Sequence, residues 1–142
     1  PMAGSEKTGY ENATDHLFEN AYYIVTPTAL SSEEDADRIV TVAKLIGSIP
    51  IVLDYHEHDR IVAAISHLPH LIASSLVNLV RDKDTPEQIM RLVAAGGFKD
   101  ITRIASSSAD MWESIMFENK EDILSVLNSL TDVITDIKKS IR

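Results

Sequence analysis

The chain has 142 residues, of which 44% are hydrophobic and 25% charged, values typical of a soluble globular domain with a real core. Its formal net charge of -9 disfavours nucleic acid and anionic membrane surfaces as partners, because both carry the same sign. The absence of cysteine excludes disulfides, thiol catalysis and cysteine metal sites and fits a cytoplasmic protein. We expect no secretion signal and no membrane-spanning segment.

The first half of the chain is predicted to form a strand, a helix and a second strand. Residues 22–25 form a short apolar run that Pro27 stops, and residues 49–53 form a second run. Between them lies a helix that Ser31 or Ser32 can cap and that Gly47 ends. Strand, helix and strand in this order make a parallel crossover, and two strands are too few for a stable sheet, so this half is predicted to end a larger α/β domain.

From Asp59 onward the pattern predicts helices only. Asp59 is the expected cap of a helix so apolar around its surface that it should be buried in a bundle, and Pro69 should bend it by removing a backbone hydrogen bond. Thr85 and Pro86 are predicted to start another helix, which runs to the Gly96-Gly97 pair.

Two further helices complete the predicted domain. Serines 106–108 can cap the first. The last carries apolar residues at alternating spacings of four and three, which is the pattern of a packed helical seam. Packing within the chain and pairing with a second copy explain this seam equally well, and we expect a homo-oligomer. The seam residues are Ile123, Leu127, Leu130, Ile134, Ile137 and Ile141.

The segment 94–107 carries the residue types that an anionic substrate needs. Gly96 and Gly97 allow a turn or the close approach of a ligand. Asp100 and Arg103 lie three residues apart, so on a helix the carboxylate could hold the guanidinium, whose planar fork suits a carboxylate ligand. A helix stop followed by a surface ion pair explains the same pattern equally well.

Four histidines are the other candidates for chemistry: His56, His58, His67 and His70. A metal site is disfavoured, since the proline bend spoils regular spacing and no glutamate completes a metallohydrolase pattern. We expect His67 and His70 to be hydrogen-bonded core histidines unless a polar group such as Arg103 converges with them. Of the adjacent Met111 and Trp112, one is expected to pack inward.

Four motifs in order resemble the prephenate dehydrogenase family. They are PMAGSEKTGYENA at 1–13, SHLPH at 66–70, GGFKDITRIASS at 96–107 and MW at 111–112. The resemblance implies a mainly α chain, with residues 1–57 ending a dinucleotide-binding α/β domain and residues 58–142 forming an all-helical dimerisation and substrate-binding domain. It also implies NAD-dependent oxidative decarboxylation of prephenate to 4-hydroxyphenylpyruvate in a cytoplasmic homodimer.

The resemblance further implies roles for individual residues. Arg103 would bind the side-chain carboxylate of the substrate, and His70 would hydrogen-bond the substrate. The pocket would also be lined by Ser5, Gly96 and Trp112, an ionic network at the entrance would join Glu6, Asp100 and Arg103, and Met111 would contact the cofactor weakly. No metal is implied.

Two elements of the family pattern are not found in this sequence. The family places a catalytic histidine directly before the PMAG motif, whereas here Pro1 comes first, and no G-x-G-x-x-G turn follows a strand. The sequence therefore predicts a C-terminal piece that folds and pairs but does not turn over substrate. Arogenate specificity, a non-catalytic dimerisation or ligand-binding module, and a helical domain of another hydroxyacid dehydrogenase are the alternatives; the last lacks the SHLPH and GGFKDITR pair.

Overall fold

A computed structural model describes residues 1–4 and 9–142. The chain divides into two compact units, Pro1–Ile61 and Val62–Arg142. Ser5 and Glu6, which were predicted to line the pocket and to join the ionic network, lie outside the described residues.

The first unit contains the predicted parallel crossover. Strands β1 (Tyr22–Val25) and β2 (Ile49–Val52) pair in parallel, with Tyr22 opposite Ile49 and Val25 opposite Val52. Helix α1 (Glu33–Leu45) connects them and packs on both strands. A short 3-10 turn lies upstream, at Tyr10–Asn12.

Local hydrogen bonds set the ends of α1. Ser32, rather than Ser31, is the cap: its hydroxyl accepts from the Asp35 N–H at 3.1 Å, and the Asp35 carboxylate accepts from the Ser32 N–H at 3.3 Å. Gly47, at a φ of 80°, takes the left-handed conformation that follows a helix end. The next residue, Ser48, is buried and donates from its hydroxyl to the Phe18 carbonyl at 2.9 Å.

The segment Tyr55–Lys83 is helical throughout. Helix α2 (Tyr55–Val62) leads into a π turn (Ala63–His67) and then into α3 (Leu68–Lys83). The prediction that Asp59 caps this segment is wrong. Asp54 precedes the first turn and accepts from the His56 N–H at 2.9 Å, so the helix begins earlier and Asp59 lies inside it, 2.8 Å from Nδ1 of His58.

The irregularity predicted at Pro69 takes the form of the π turn. The Leu68 N–H bonds to the Ala63 carbonyl, five residues back rather than four. Because Pro69 has no N–H, the hydrogen-bond ladder is interrupted here in any case, and a widened turn is one way to accommodate the interruption. The turn packs on the last helix of the chain.

The helix predicted from Thr85 to the glycine pair is also wrong. Gln88 has a φ of 55°, so α4 is confined to Ile89–Val93. The Asp84 carboxylate holds the preceding loop by accepting from the N–H groups of Thr85, Met90 and Arg91 at 2.8–3.0 Å. The glycine pair then begins α5 (Gly96–Thr102) instead of ending α4.

The remaining elements pack around α3. A 3-10 turn (Arg103–Ser106) follows α5, and both contact α3. Ser108, one of the predicted caps, accepts from the Met111 N–H at the start of α6 (Ala109–Glu118). Helix α7 (Lys120–Ser140) contacts α6, α3 and the π turn.

The second unit buries little apolar surface by itself. Its buried hydrophobic residues are Val62, Ala63, Ala73 and Ile123. The α3 region, predicted to be buried all round, leaves Ile65, Val77 and Leu79 exposed. Large apolar residues on several of its helices, among them Leu92, Phe117 and Ile137, are exposed.

One helical segment meets the length and composition criteria for crossing a membrane. The segment Tyr55–Lys83 has 29 residues. Its most apolar window has a mean hydropathy of 1.4, and 22% of that window is buried. The expectation that no segment could span a membrane is therefore incorrect by these criteria. The central helix of a helical domain meets the same criteria.

Candidate functional site

Two aromatic rings stack where α3 and α6 meet. The imidazole of His70 and the indole of Trp112 lie with ring centroids 3.6 Å apart and planes within 4° of parallel. The ring of His67, in the π turn, stands perpendicular to the same indole at 5.9 Å and 87°. Of the Met111-Trp112 pair, Trp112 is the residue that packs inward, while Met111 is half exposed.

His70 is buried with only part of its hydrogen-bonding capacity used. The residue is 6% exposed, and its Nε2 lies 3.4 Å from the Ser74 hydroxyl. Burial lowers the pKa of His70 below its ordinary value of 6.5, although the nearby backbone of Ile104 favours the protonated ring. Within the described residues neither Nδ1 of His70 nor Nε1 of Trp112, both buried atoms, has a hydrogen-bond partner.

Stability is expected to fall on acidification because of His70. Since the folded state holds the His70 pKa below 6.5, the unfolded chain binds the proton more readily, and the free energy of unfolding decreases as pH falls through 6.5. Urea unfolding between about pH 7.5 and about pH 5.5 measures this loss. His70→Phe should reduce the loss. An unchanged loss in His70→Phe would contradict the assignment.

A groove of about 740 Å³ lies beside the stack. His70 and Trp112 contribute to its wall, together with three charged residues, Asp110, Glu113 and Lys120. Most of the remaining wall is apolar, and it includes Leu71, Met116, Phe117, Ile123, Leu124 and Leu127. An apolar groove with a few converging polar groups is the usual form of a small-molecule site.

Arg103 is not among the described residues that form the wall of this groove, but it lies on a neighbouring turn. It is the first residue of the 3-10 turn that packs on α3, and the backbone of the next residue, Ile104, is near the His70 imidazole. The side chain of Arg103 is exposed. Asp100 is exposed too, on α5, which ends at Thr102 and continues directly into the 3-10 turn that Arg103 begins. In the described part of the chain no ion pair joins Asp100 to Arg103.

The other predicted site residues lie apart from the groove wall. Gly96 and Gly97 form the first turn of α5, and a Cβ added at either would meet no atom within 4 Å. Neither glycine has a positive φ, so the backbone does not require glycine there. Met111 does not contribute to the wall of the groove.

The histidines do not assemble a metal site. No group of three or more metal-ligating side chains occurs among residues 1–4 and 9–142. His67 and His70 are hydrogen-bonded through Asn119 and Ser74 respectively, as the sequence predicted for core histidines.

A second groove, of about 770 Å³, lies between α3, α4 and α5. Its wall includes three cations, Arg81, Arg91 and Lys99, and the apolar side chain of Phe98. None of the described side chains that were assigned to the site from the sequence contributes to this second groove.

Family models match both parts of the chain. The model described as the nucleotide-binding domain of prephenate dehydrogenase matches residues 1–52. The model described as its dimerization domain matches residues 54–142, more than half of the sequence.

The chain belongs to the prephenate dehydrogenase family. Among its relatives, the prephenate dehydrogenase of Bacillus subtilis is 41% identical over 124 residues, which are 87% of this chain and 33% of the relative. The cyclohexadienyl dehydrogenase of Zymomonas mobilis is 36% identical over 98% of this chain and 47% of the relative. The chain thus spans between a third and half of the length of these family members.

A solved family member has the same fold. The crystal structure of Aquifex aeolicus prephenate dehydrogenase, in complex with hydroxyphenyl propionate and NAD+, superposes with a TM-score of 0.92 at 34% identity. The match covers 99% of this chain and 49% of the Aquifex chain. The mainly helical fold with a short parallel sheet that the sequence predicted is therefore the family fold.

Sequence reasoning about this family did not single out Asn119. This residue lies at the junction of α6 and α7, and its side-chain nitrogen is 3.3 Å from Nδ1 of His67, 52 residues earlier. Its position between two helices predicts only a cap. Nothing local to residue 119 indicates a partner so distant in sequence.

Proposed function

We propose that the protein carrying this chain is a prephenate dehydrogenase, which converts prephenate to 4-hydroxyphenylpyruvate by oxidative decarboxylation. The observation that carries the proposal is the buried His70-Trp112 stack, with two unsatisfied polar atoms beside an apolar groove. A ring acid needs an apolar surface for the ring and a few placed polar groups for its substituents. The match of both family models supports the same assignment.

Each residue has a distinct role in the proposed reaction. The guanidinium of Arg103 binds the side-chain carboxylate of prephenate through paired hydrogen bonds. His70, kept neutral by burial, hydrogen-bonds the substrate, and Trp112 supplies an aromatic wall. Asp100, with Glu6, modulates Arg103 at the entrance. Loss of hydride and carbon dioxide from the ring makes it aromatic, which drives the reaction forward.

NAD is the proposed cofactor, and when bound it accepts the hydride from the ring carbon that bears the hydroxyl. The sequence contains no glycine-rich turn of the kind that holds a pyrophosphate, so we assign the pyrophosphate to no residue of this chain. The strand-helix-strand at residues 22–52 fits the edge of such a domain but supplies no phosphate loop. Met111, half exposed on α6, is the proposed weak contact with the cofactor.

Absorbance of the reduced cofactor tests the function directly. A chain in which a glycine-rich nucleotide-binding segment and the family histidine precede Pro1 should reduce NAD when prephenate is added. The 142-residue chain alone should not sustain turnover. Sustained turnover by the 142-residue chain would contradict the second expectation, and no turnover by the longer chain with either substrate would contradict the proposed function.

Arogenate is the second candidate substrate. The relative named cyclohexadienyl dehydrogenase matches 98% of this chain, which favours keeping this candidate. Arogenate differs by an ammonium group in place of the keto group, so the same assay with both substrates separates the two specificities. A non-catalytic ligand-binding or dimerisation module is the third possibility, and it predicts that Arg103→Ala leaves the affinity for prephenate unchanged.

Gly96→Ala tests whether substrate approaches the start of α5. A Cβ at residue 96 meets open space, so the free energy of unfolding should stay the same or rise by up to about 1 kcal/mol. If the substrate lies against this turn, KM for prephenate should rise several-fold. Gly97→Ala is the matched control, because it adds the same methyl group to the same open turn. Equal KM values for both variants would count against Gly96 as a pocket residue.

We also propose that the protein is a cytoplasmic homodimer that pairs through its helical domain. Exposed apolar side chains continue along α7, and residues 131–142 are all exposed. Those at Ile134, Ile137 and Ile141 share one face of the helix. If a second copy presents the same face of α7, each apolar face covers the other.

A further inference from the structure

We propose that Asn119 is a positioning residue, which holds the His67 ring in one orientation and through it the indole of Trp112 that stacks on His70. The contacts form a chain of three, from Asn119 to His67, from His67 to Trp112 and from Trp112 to His70. The inference deepens the proposed function, since its effect on catalysis rests on that function. The contacts themselves do not depend on it.

The side chain of Asn119 is used for this contact rather than for capping. The residue is 9% exposed and joins two helices: its N–H bonds to the Ile115 carbonyl of α6, and its carbonyl accepts from the Ile123 N–H of α7. Asparagine is a favoured helix cap, yet this side chain makes no cap hydrogen bond to α7. Its amide nitrogen lies instead 3.3 Å from Nδ1 of His67.

This contact selects one protonation form of His67. The amide nitrogen of asparagine can only donate, so Nδ1 of His67 must accept, and in the neutral ring the proton then resides on Nε2. A ring held by a hydrogen bond at one nitrogen has lost most of its freedom to rotate. Asn119 therefore favours one tautomer of His67 and restricts the direction of its ring plane.

The fixed ring restricts Trp112. The His67 ring stands at 87° to the indole, while the His70 ring lies parallel to it at 3.6 Å. An indole with a perpendicular neighbour and a stacked neighbour has few orientations that keep both contacts. The polar atoms of His70 and Trp112 that are proposed to bind a ligand are thus oriented in part through the contact of Asn119 with His67.

The sequence offers a direct reporter, because Trp112 is its only tryptophan. In the 142-residue chain Asn119→Ser keeps a residue that favours helix caps but cannot reach His67. We expect acrylamide quenching of Trp112 fluorescence to rise by about threefold, which is the order of the population shift on losing one aromatic stack. Nitrogen-15 NMR of the imidazoles should show His67 changing from a single tautomer to a mixture.

Ser48→Ala is the matched control. It removes one tertiary hydrogen bond of a buried polar residue, the bond from Ser48 to the Phe18 carbonyl, in the other compact unit. It should lower stability without changing the quenching or the His67 tautomer. If Asn119→Ser changes neither readout, or if Ser48→Ala changes both equally, the positioning role is overturned.

A second variant covers the case in which Asn119→Ser does not fold. His67→Phe keeps a ring beside Trp112 but removes the acceptor, so quenching should rise while the chain stays folded, and unchanged quenching would overturn the proposal. In the longer enzyme, Asn119→Ser should lower kcat/KM for prephenate by about tenfold or more. Changed spectroscopic readouts with unchanged kcat/KM would contradict the proposed function of the groove and leave the positioning role standing.

Discussion

Replacing Arg103 by alanine is expected to lower kcat/KM for prephenate about a hundredfold, which corresponds to about 2.7 kcal/mol of lost transition-state binding. The guanidinium is the proposed partner of the substrate carboxylate, and hydrogen bonds to charged groups contribute about 1.5–3 kcal/mol. Arg103 begins the turn whose backbone lies near His70. In the proposal, Arg103 binds the carboxylate of the ligand whose ring lies beside His70 and Trp112. Steady-state kinetics of the longer enzyme measure the loss, and most of it should appear in KM, since the side-chain carboxylate does not react.

Two further variants serve as controls for Arg103→Ala. Arg103→Lys keeps the charge but loses the planar fork, so it should recover only part of the activity. Arg81→Ala removes an exposed arginine from the C-terminal part of α3, where its Nε lies 3.1 Å from the Asp82 carboxylate, and it should leave the kinetics unchanged. If Arg103→Ala keeps the original KM, or if Arg81→Ala produces the same loss, the carboxylate does not bind where we propose.

Placing two carboxylates on the apolar face of α7 is expected to separate the proposed homodimer into monomers. In the double variant Ile134→Glu with Ile137→Glu, two side chains that are 48% and 52% exposed in the single chain become charged. Losing a buried isoleucine costs about 2–5 kcal/mol, so the dissociation constant should rise by at least about a thousandfold. Analytical ultracentrifugation over a range of concentrations measures this change.

The opposite face of α7 provides the control for the dimer. Ser125→Glu with Asn128→Glu adds the same charge to the same helix, about half a turn away from the apolar face. This variant should remain dimeric. A dimer that survives the isoleucine substitutions would place the interface elsewhere, and dissociation of both variants would show that added negative charge, rather than the apolar face, causes the effect.

Local signals predicted the elements whose determinants lie within a few residues. The cap at Ser32, the cap at Ser108 and the left-handed Gly47 each depend on contacts with near neighbours, so their spacing in the sequence is informative. Local signals gave a wrong prediction for residues 84–97, where a helix was expected from Thr85 to the glycine pair. In that segment the Asp84 carboxylate accepts hydrogen bonds from three backbone N–H groups, and the helix begins later than predicted. Helix propensities do not predict such a contact.

By itself the sequence determined the parallel crossover, the helical second unit, the apolar face of α7 and, through four ordered motifs, the family. Only the tertiary structure decided which side chains meet at the site. His67 and Asn119 are 52 residues apart, and the stack of His70 on Trp112 joins two helices. Such contacts depend on how helices pack after they form, since hydrophobic periodicity specifies a buried face but not the neighbour that covers it.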